Sequence, residues 1–283
     1  MNQLPELPAA RPFFLDAAPG RRFCLYHAPA QDGACRGAFI YIHPFAEEMN
    51  KSRRMAARQA QAFAALGYAV LQIDLLGCGD SSGDFADARW EIWKEDLAAA
   101  YAWLRQETAA PVSLWGLRLG ALLALDFASA FQDEIHGLLL WQPVLRGEAF
   151  LTQFLRLQLA ADMLSGQTPG ENGTRELRNK LRAGESVEVA GYRLAPALAL
   201  AIDAADAATM TPPRCTTHWF ELMPEPNRPL PPAAGRLTAA WAQSAVPLTL
   251  HQVQCPAFWL AQEILDYPDL LSATSASFSG RTA

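Results

Sequence analysis

Residues 112–131 read VSLWGLRLGALLALDFASAF. Val112 to Trp115 is a short apolar run, the pattern of a strand buried on both faces, and Leu119 to Phe131 reads as a helix. The turn between them, Gly116-Leu117-Arg118-Leu119-Gly120, sets a cation between two glycines that permit tight packing. A buried strand feeding a helix through so short a turn is half of a βαβ unit, and the flanking sequence repeats the rhythm.

Upstream, Phe23 to His27 and Ala38 to His43 read as strands, bounded by Pro29 to Gly37 and by Pro44. A helix is predicted over Asn50 to Leu66, with Met55, Gln59, Ala62 and Leu66 on one face and a stop at Gly67. Ala69 to Asp74 is a strand entering the turn LLGCGDSSGD, and Trp90 to Arg105 is a helix. Gly137 to Trp141 is again a strand. Strict alternation of this kind implies a mostly parallel sheet with helices on both faces, an α/β fold.

After Pro143 the pattern changes. About Phe150 to Ala208 reads as mostly helical, broken by SGQTPGENGTRE, and is expected to be an inserted helical cap. The α/β rhythm resumes with a strand near Thr216 to Leu222, a helix near Ala233 to Gln243 and a strand from Leu248 to Val253. The terminal SATSASFSGRTA reads as a frayed tail. The expected division is core over 1–146, cap over 147–210 and core again over 211–283.

Composition narrows the function. The 283 residues carry 23 Lys+Arg against 29 Asp+Glu, a net charge of −6, so no basic footprint for nucleic acid exists. At 51% hydrophobic and 18% charged, the chain is no disordered polymer. No apolar run is long enough to span a membrane, since Asp203 and Asp206 interrupt the richest stretch. MNQLPELPAARPFF lacks the basic start and apolar core of a signal peptide, and the five cysteines form no CxxC pair. They read as free thiols in a cytoplasmic protein. No cofactor and no metal is implied: there is no GxGxxG after the first strand, no P-loop and no clustered His/Cys set.

Three segments together resemble the α/β-hydrolase fold: AFIYIH running into His43-Pro44-Phe45, AVLQID running into Asp74-Leu75-Leu76-Gly77-Cys78-Gly79-Asp80-Ser81, and VSLW running into Gly116–Gly120. In that superfamily they correspond to an oxyanion-hole turn, a D-x-x-G-x-G-x-S turn and the nucleophile elbow. More narrowly, HPFAEEMNKSRRM (43–55), LQIDLLGCGDSSGDF (71–85), WGLRLGALLA (115–124) and LWQPVL (140–145) resemble the exosortase A system-associated hydrolases of type 2. The resemblance implies a hydrolase of acyl esters or thioesters that works beside exopolysaccharide export and PEP-CTERM protein sorting.

One departure stands out. A serine hydrolase elbow reads G-x-S-x-G, and here Arg118 holds the central place. A guanidinium has no lone pair to attack a carbonyl and stays protonated at any working pH. The family histidine would fall near Pro256, where the chain reads Val253-Gln254-Cys255-Pro256; His251 lies inside a strand. The acid position falls on Glu225 or Glu221. Ordinary Ser-His-Asp activity is therefore expected to be absent or very weak.

Other candidates remain open. Arg118 either pairs internally with Glu47, Glu48, Asp80 or Glu263, or binds a carboxylate or phosphate together with helix N-terminal N–H groups. His43 either shapes an oxyanion-type pocket with the N–H groups of Phe45 and Leu119, or bonds loop backbone. Ser81 and Ser82 are alternative nucleophiles or turn-capping groups, and Cys78 shares their turn. Lys51, Arg53 and Arg54 either face the pocket or serve ordinary helix electrostatics. Three functions follow: a hydrolase with a degenerate triad, a silent binder of an anionic acyl or phosphate-bearing ligand, or a scaffold for a protein partner.

Overall fold

The computed structural model describes residues 9–30, 34–164, 173–226 and 228–280. Eight strands form one sheet: β1 (Arg11–Asp16), β2 (Arg21–His27), β3 (Gly37–Ile42), β4 (Tyr68–Ile73), β5 (Val112–Leu117), β6 (Gly137–Trp141), β9 (Thr216–Met223) and β10 (Leu248–Gln254). Their spatial order is β1-β2-β4-β3-β5-β6-β9-β10. β2 runs antiparallel to both its neighbours, β1 and β4; from β4 to β10 every pairing is parallel.

Central strands are buried at every residue, as parallel strands covered on both faces must be. One face (Ile40, Leu71, Leu114, Leu140, Trp219) packs against α2 (Trp90–Glu107), α3 (Leu119–Ala130) and α7 (Pro232–Gln243). The other (Phe39, Trp115, Trp141, Phe220) packs against α1 (Glu47–Ala65) and α8 (Pro268–Ser279). Among the described residues one ion pair is fully enclosed: Arg22 Nε meets Asp96 Oδ1 at 2.6 Å, tying β2 to α2.

Between β6 and β9 lie α4 (Gly147–Leu164), α5 (Gly173–Arg182), a hairpin of β7 (Val187–Val189) and β8 (Tyr192–Leu194), and α6 (Pro196–Ala204). An isolated bridge from Arg146 to Asp206 closes the base of this insertion. The hairpin is an addition to the expected, mostly helical segment. Val187, Val189 and Leu194 are buried in the core while Ala190-Gly191 turns at positive φ, and that alternation is too short to stand out against helical neighbours. Of SGQTPGENGTRE, residues 165–172 lie outside the described residues.

The expected frayed tail is corrected. From Pro268 the chain forms α8, whose Leu270 and Thr274 are fully buried, and Thr274 Oγ1 accepts a bond from Trp141 Nε1 at 3.1 Å. Its small polar residues conceal an apolar stripe that only packing against α1 reveals. Strand β1 also went unread, because its outward residues are largely exposed. Among the described residues no helix is long and apolar enough to cross a membrane.

Candidate functional site

The turn between β5 and α3 is held by backbone alone. Arg118 has φ +56° and ψ −118°, a strained conformation for a side chain with a Cβ, at a cost of about 1–3 kcal/mol. Its N–H donates to Trp141 O at 3.0 Å, and its carbonyl accepts from Ala121 and Val144, each at 3.1 Å. The flanking glycines are steric necessities. A Cβ on Gly116 would lie 2.4 Å from Ala121 Cα, and one on Gly120 would lie 2.3 Å from Ile42 O. Helix and strand can approach this closely only without those atoms. The turn before α1 is strained in the same way: Ala46 has φ +50° and ψ −127°.

The strained turn presents Arg118 toward α1. Its Nη2 lies 3.4 Å from Glu48 Oε1, and the two side chains are 16% and 14% exposed. Of the acidic candidates, Glu48 is the partner; Glu47 instead accepts from Tyr192 Oη, and Glu263 is exposed. The guanidinium carbon sits 4.9 Å from the ring centre of Trp259 and 5.9 Å from that of Phe150. Arg118 Nε and Glu48 Oε2 are buried without a hydrogen-bond partner. Burial pushes the Glu48 carboxyl above its usual range, and Arg118 offsets this only in part.

A second buried carboxyl faces the same arginine. Glu221, on β9, accepts from Trp219 Nε1 at 3.0 Å and from Gln142 Nε2 at 2.9 Å, and burial raises its pKa against those bonds and the pull of Arg118. Gln142 has φ +42° and its Oε1 accepts from Leu222 N at 2.6 Å, so one amide links the ends of β6 and β9. Glu225 is exposed in the turn after β9.

His43 is engaged on both ring nitrogens: Nδ1 donates to Pro44 O at 2.7 Å, and Nε2 accepts from Leu75 N at 3.3 Å. These two bonds fix a neutral tautomer, and burial lowers the pKa. Phe45 is wedged among Phe85, Phe150, Phe154 and Trp93. The N–H of Leu119, first in α3, has no acceptor within its own helix. The space between His43, Phe45, Leu119 and Gly120 is only about 10 Å³, the lower limit for one water.

The candidate nucleophiles serve the D-x-x-G-x-G-x-S turn. Ser81 Oγ donates to Asp74 O and accepts from Phe23 N, and Ser82 Oγ accepts from Arg21 N, so both hydroxyls pin the turn to β2. Cys78 is buried, which pushes its thiol far up and keeps it un-ionised. Arg53 pairs with Asp74 at 2.9 Å, while Arg54 grips Asp266 with Nε at 2.6 Å and Nη2 at 2.9 Å. Lys51 Nζ reaches Leu260 O at 3.4 Å. These basic side chains fasten α1 to its neighbours.

After β10 the chain passes Pro256 and enters a 3-10 turn, Phe258–Leu260, that delivers Trp259 to Arg118. His251 stays within β10, its Nε2 3.1 Å from His218 Nδ1 on β9. Sequence reasoning did not find Trp259, Phe150 or Gln142. An aromatic three residues past Pro256 was the available signal, but nothing local says that it folds back. Among the described residues no three His, Cys, Asp or Glu gather as a metal site.

A family model described as serine aminopeptidase, S33, matches residues 33–199, more than half of the chain. The chain belongs to this family. It is thereby an α/β-hydrolase, and solved structures agree on the fold. Est1E from Butyrivibrio proteoclasticus with ferulic acid bound is similar at TM-score 0.66 and 14% identity, over 94% of this chain and 96% of its own. A thermostable carboxyl esterase from Bacillus coagulans is similar at 0.63 and 14%, over 96% and 97%. An α/β serine hydrolase without lid from Xanthomonas campestris gives 0.59 and 16%, over 100% of each chain. No curated protein matches the chain. Within the S33 family frame, the turn of Arg118 is the strand-to-helix elbow at the sheet's carboxyl edge.

Proposed function

We propose that this S33-family α/β-hydrolase does not hydrolyse acyl bonds at its elbow and acts as a binding or partner protein in an exosortase-associated exopolysaccharide system. The observation that carries the reading is Arg118: it stands in the strained elbow, paired with Glu48 and roofed by Trp259. A guanidinium there supplies no electron pair to a carbonyl carbon. Ser81 and Ser82, the nearby hydroxyls weighed as substitutes, are spent on backbone bonds. The triad is thus degenerate, with Arg118 at the nucleophile position, Glu221 at the acid position and the Pro256 segment where a histidine would be needed. The exopolysaccharide context rests on the resemblance of HPFAEEMNKSRRM and LQIDLLGCGDSSGDF to that branch. Residues 147–210 act as a cap, supported by Phe150 over Arg118 and by Tyr192 bonded to Glu47.

The test is intact mass after incubation with a fluorophosphonate probe, on folded and heat-denatured protein, beside hydrolysis of p-nitrophenyl esters. The expected result is no adduct and no hydrolysis above buffer. An adduct confined to the folded chain, lost in Ser81→Ala, would establish a working serine and end the reading.

A second reading draws on the two unpartnered atoms. A ligand offering an acceptor to Arg118 Nε and a donor to Glu48 Oε2 would complete both, as the carboxyl group of an acyl chain in its acid form does. A thermal-shift screen of acyl acids, with Arg118→Ala as control, checks it.

A further inference from the structure

At the opposite edge of the sheet the first residues of β3, β5, β6 and β9, with the last turn of α8, enclose a cavity of about 230 Å³. Ser113 lines it, five residues before Arg118 along one extended strand, which puts the two about 16 Å apart. Phe39, Tyr68 and Phe278 pack together, ring centres 5.1–6.1 Å apart, and form one aromatic wall. Arg36, His136 and His218 line it as well, and among the described residues no carboxylate does, in a chain whose acids outnumber its bases by 29 to 23. The α8 carbonyls that would make the rim negative are occupied. Tyr68 Oη donates to Phe278 O at 3.1 Å, and Arg36 donates to Gly280 O.

The histidines add a proton store. His218 Nδ1 and His251 Nε2 stand 3.1 Å apart, so one donates while the other accepts, and the pair can take up one further proton. The bond leaves Nε2 as His218's remaining hydrogen-bonding atom. The titratable and charged groups facing His218 are His251 from β10 and, across the cavity, His136 and Arg36; α8 presents Ser277 and Phe278, and β6 places Leu139 opposite. Burial, then the neighbouring His251, holds His218 below its ordinary pKa, and burial does the same to His251. Near neutral pH the pair is therefore uncharged, and an anion brought against it favours protonation.

We propose that this cavity binds a small aromatic carboxylate, its ring against the Phe39–Tyr68–Phe278 cluster and its carboxylate against His218, Arg36 and the Ser113 hydroxyl, with one proton taken from solvent onto the histidine pair. An aromatic ring packs well against such a wall, and among the described residues a carboxylate meets Arg36, the histidines and hydroxyls but no other carboxylate. The site is independent of the silent-elbow reading and stands or falls without it.

The experiment is titration calorimetry of the full chain with sodium benzoate, benzamide and acetate at pH 7.5 and 6.0, in buffers of different ionisation enthalpy. Benzoate is expected to bind with uptake of up to one proton and to tighten by up to about tenfold per pH unit of acidification. Benzamide should bind weakly and without proton uptake. His218→Gln should remove the pH dependence, and Ser113→Leu should fill the cavity and abolish binding. Absence of benzoate binding, binding without proton uptake, or retention of binding in Ser113→Leu would each overturn the proposal. Buffer-dependent proton uptake by the unmodified chain decides the matter even where a variant fails to fold.

Discussion

The two edges of one parallel sheet have been used in opposite ways. At the carboxyl edge, where open α/β sheets ordinarily receive ligands, Arg118, Glu48, Trp259 and Phe150 close over the elbow, about 10 Å³ remains between His43, Phe45, Leu119 and Gly120, and a space of about 160 Å³ survives on the far side of His43, toward Arg53 and Asp74. At the amino edge, about 230 Å³ stays open between four strand starts and the end of α8. The backbone at the closed edge is nonetheless the more demanding of the two. Arg118, Ala46 and Gln142 all hold positive φ there, and Gly116 and Gly120 touch backbone with no room for a methyl group. The strained frame at this edge displays a guanidinium, a group with no free electron pair. Strain marks the place of a site, and the side chain standing in it decides the chemistry.

The largest expected effect tests the rigidity of that frame. Gly120→Ala places a methyl 2.3 Å from Ile42 O and 2.5 Å from His43 O, both backbone, and should cost more than about 4 kcal/mol. Gly137→Ala at the open edge meets Ser113 Oγ at 3.0 Å, a side chain that can turn, and Thr216 O at 3.2 Å, a milder backbone contact, and should cost about 1–2 kcal/mol. Thermal melts of the two variants measure the contrast, and equal losses would break it.

Next comes the ion pair that closes the elbow. Arg118→Ala leaves Glu48 buried without its cation and should destabilise the chain by about 3 kcal/mol. Adding Glu48→Gln should recover most of that loss, because the uncompensated charge is then gone. Additive losses in denaturant melts would mean that the 3.4 Å contact carries no coupling.

The smallest effect is a difference in sign with pH. His218 and His251 hold their protons less tightly folded than unfolded, so their contribution is present above about 6.5, the ordinary histidine value, and is lost as pH falls below it. Glu48 and Glu221 hold protons more tightly folded than unfolded, so acidification relieves their burial. In Tm measured from pH 7 to 5, His251→Gln should flatten part of the decline and Glu48→Gln should steepen it. Identical profiles for both variants would remove the distinction between the edges.

Legibility followed the range of the interactions. The strand-turn-helix of residues 112–131 could be read almost to the residue, since a buried strand and helix are written in continuous apolar runs. The Gly116 and Gly120 bracket pointed to tight packing before any contact was known. Helix α8 was missed because Ser, Thr and Ala residues carry little apolar signal, and its burial depends on α1, some 210 positions away in sequence. The partner of Arg118 could be narrowed to four carboxylates, but Glu47 and Glu48 are neighbours, and only the strained turn at Ala46 decides which one faces inward.

By itself, then, the sequence determined the α/β order and the tight strand-to-helix turn that sets Arg118 between Gly116 and Gly120, and no environment gives a guanidinium a free electron pair. Tertiary structure alone decided what surrounds that arginine and where empty space survives. Trp259, Phe150 and Glu48 reach it from three separate segments, and the histidine cavity is assembled from four strands and a helix end. Both are products of packing between residues far apart in the chain, and local pattern carries no record of them.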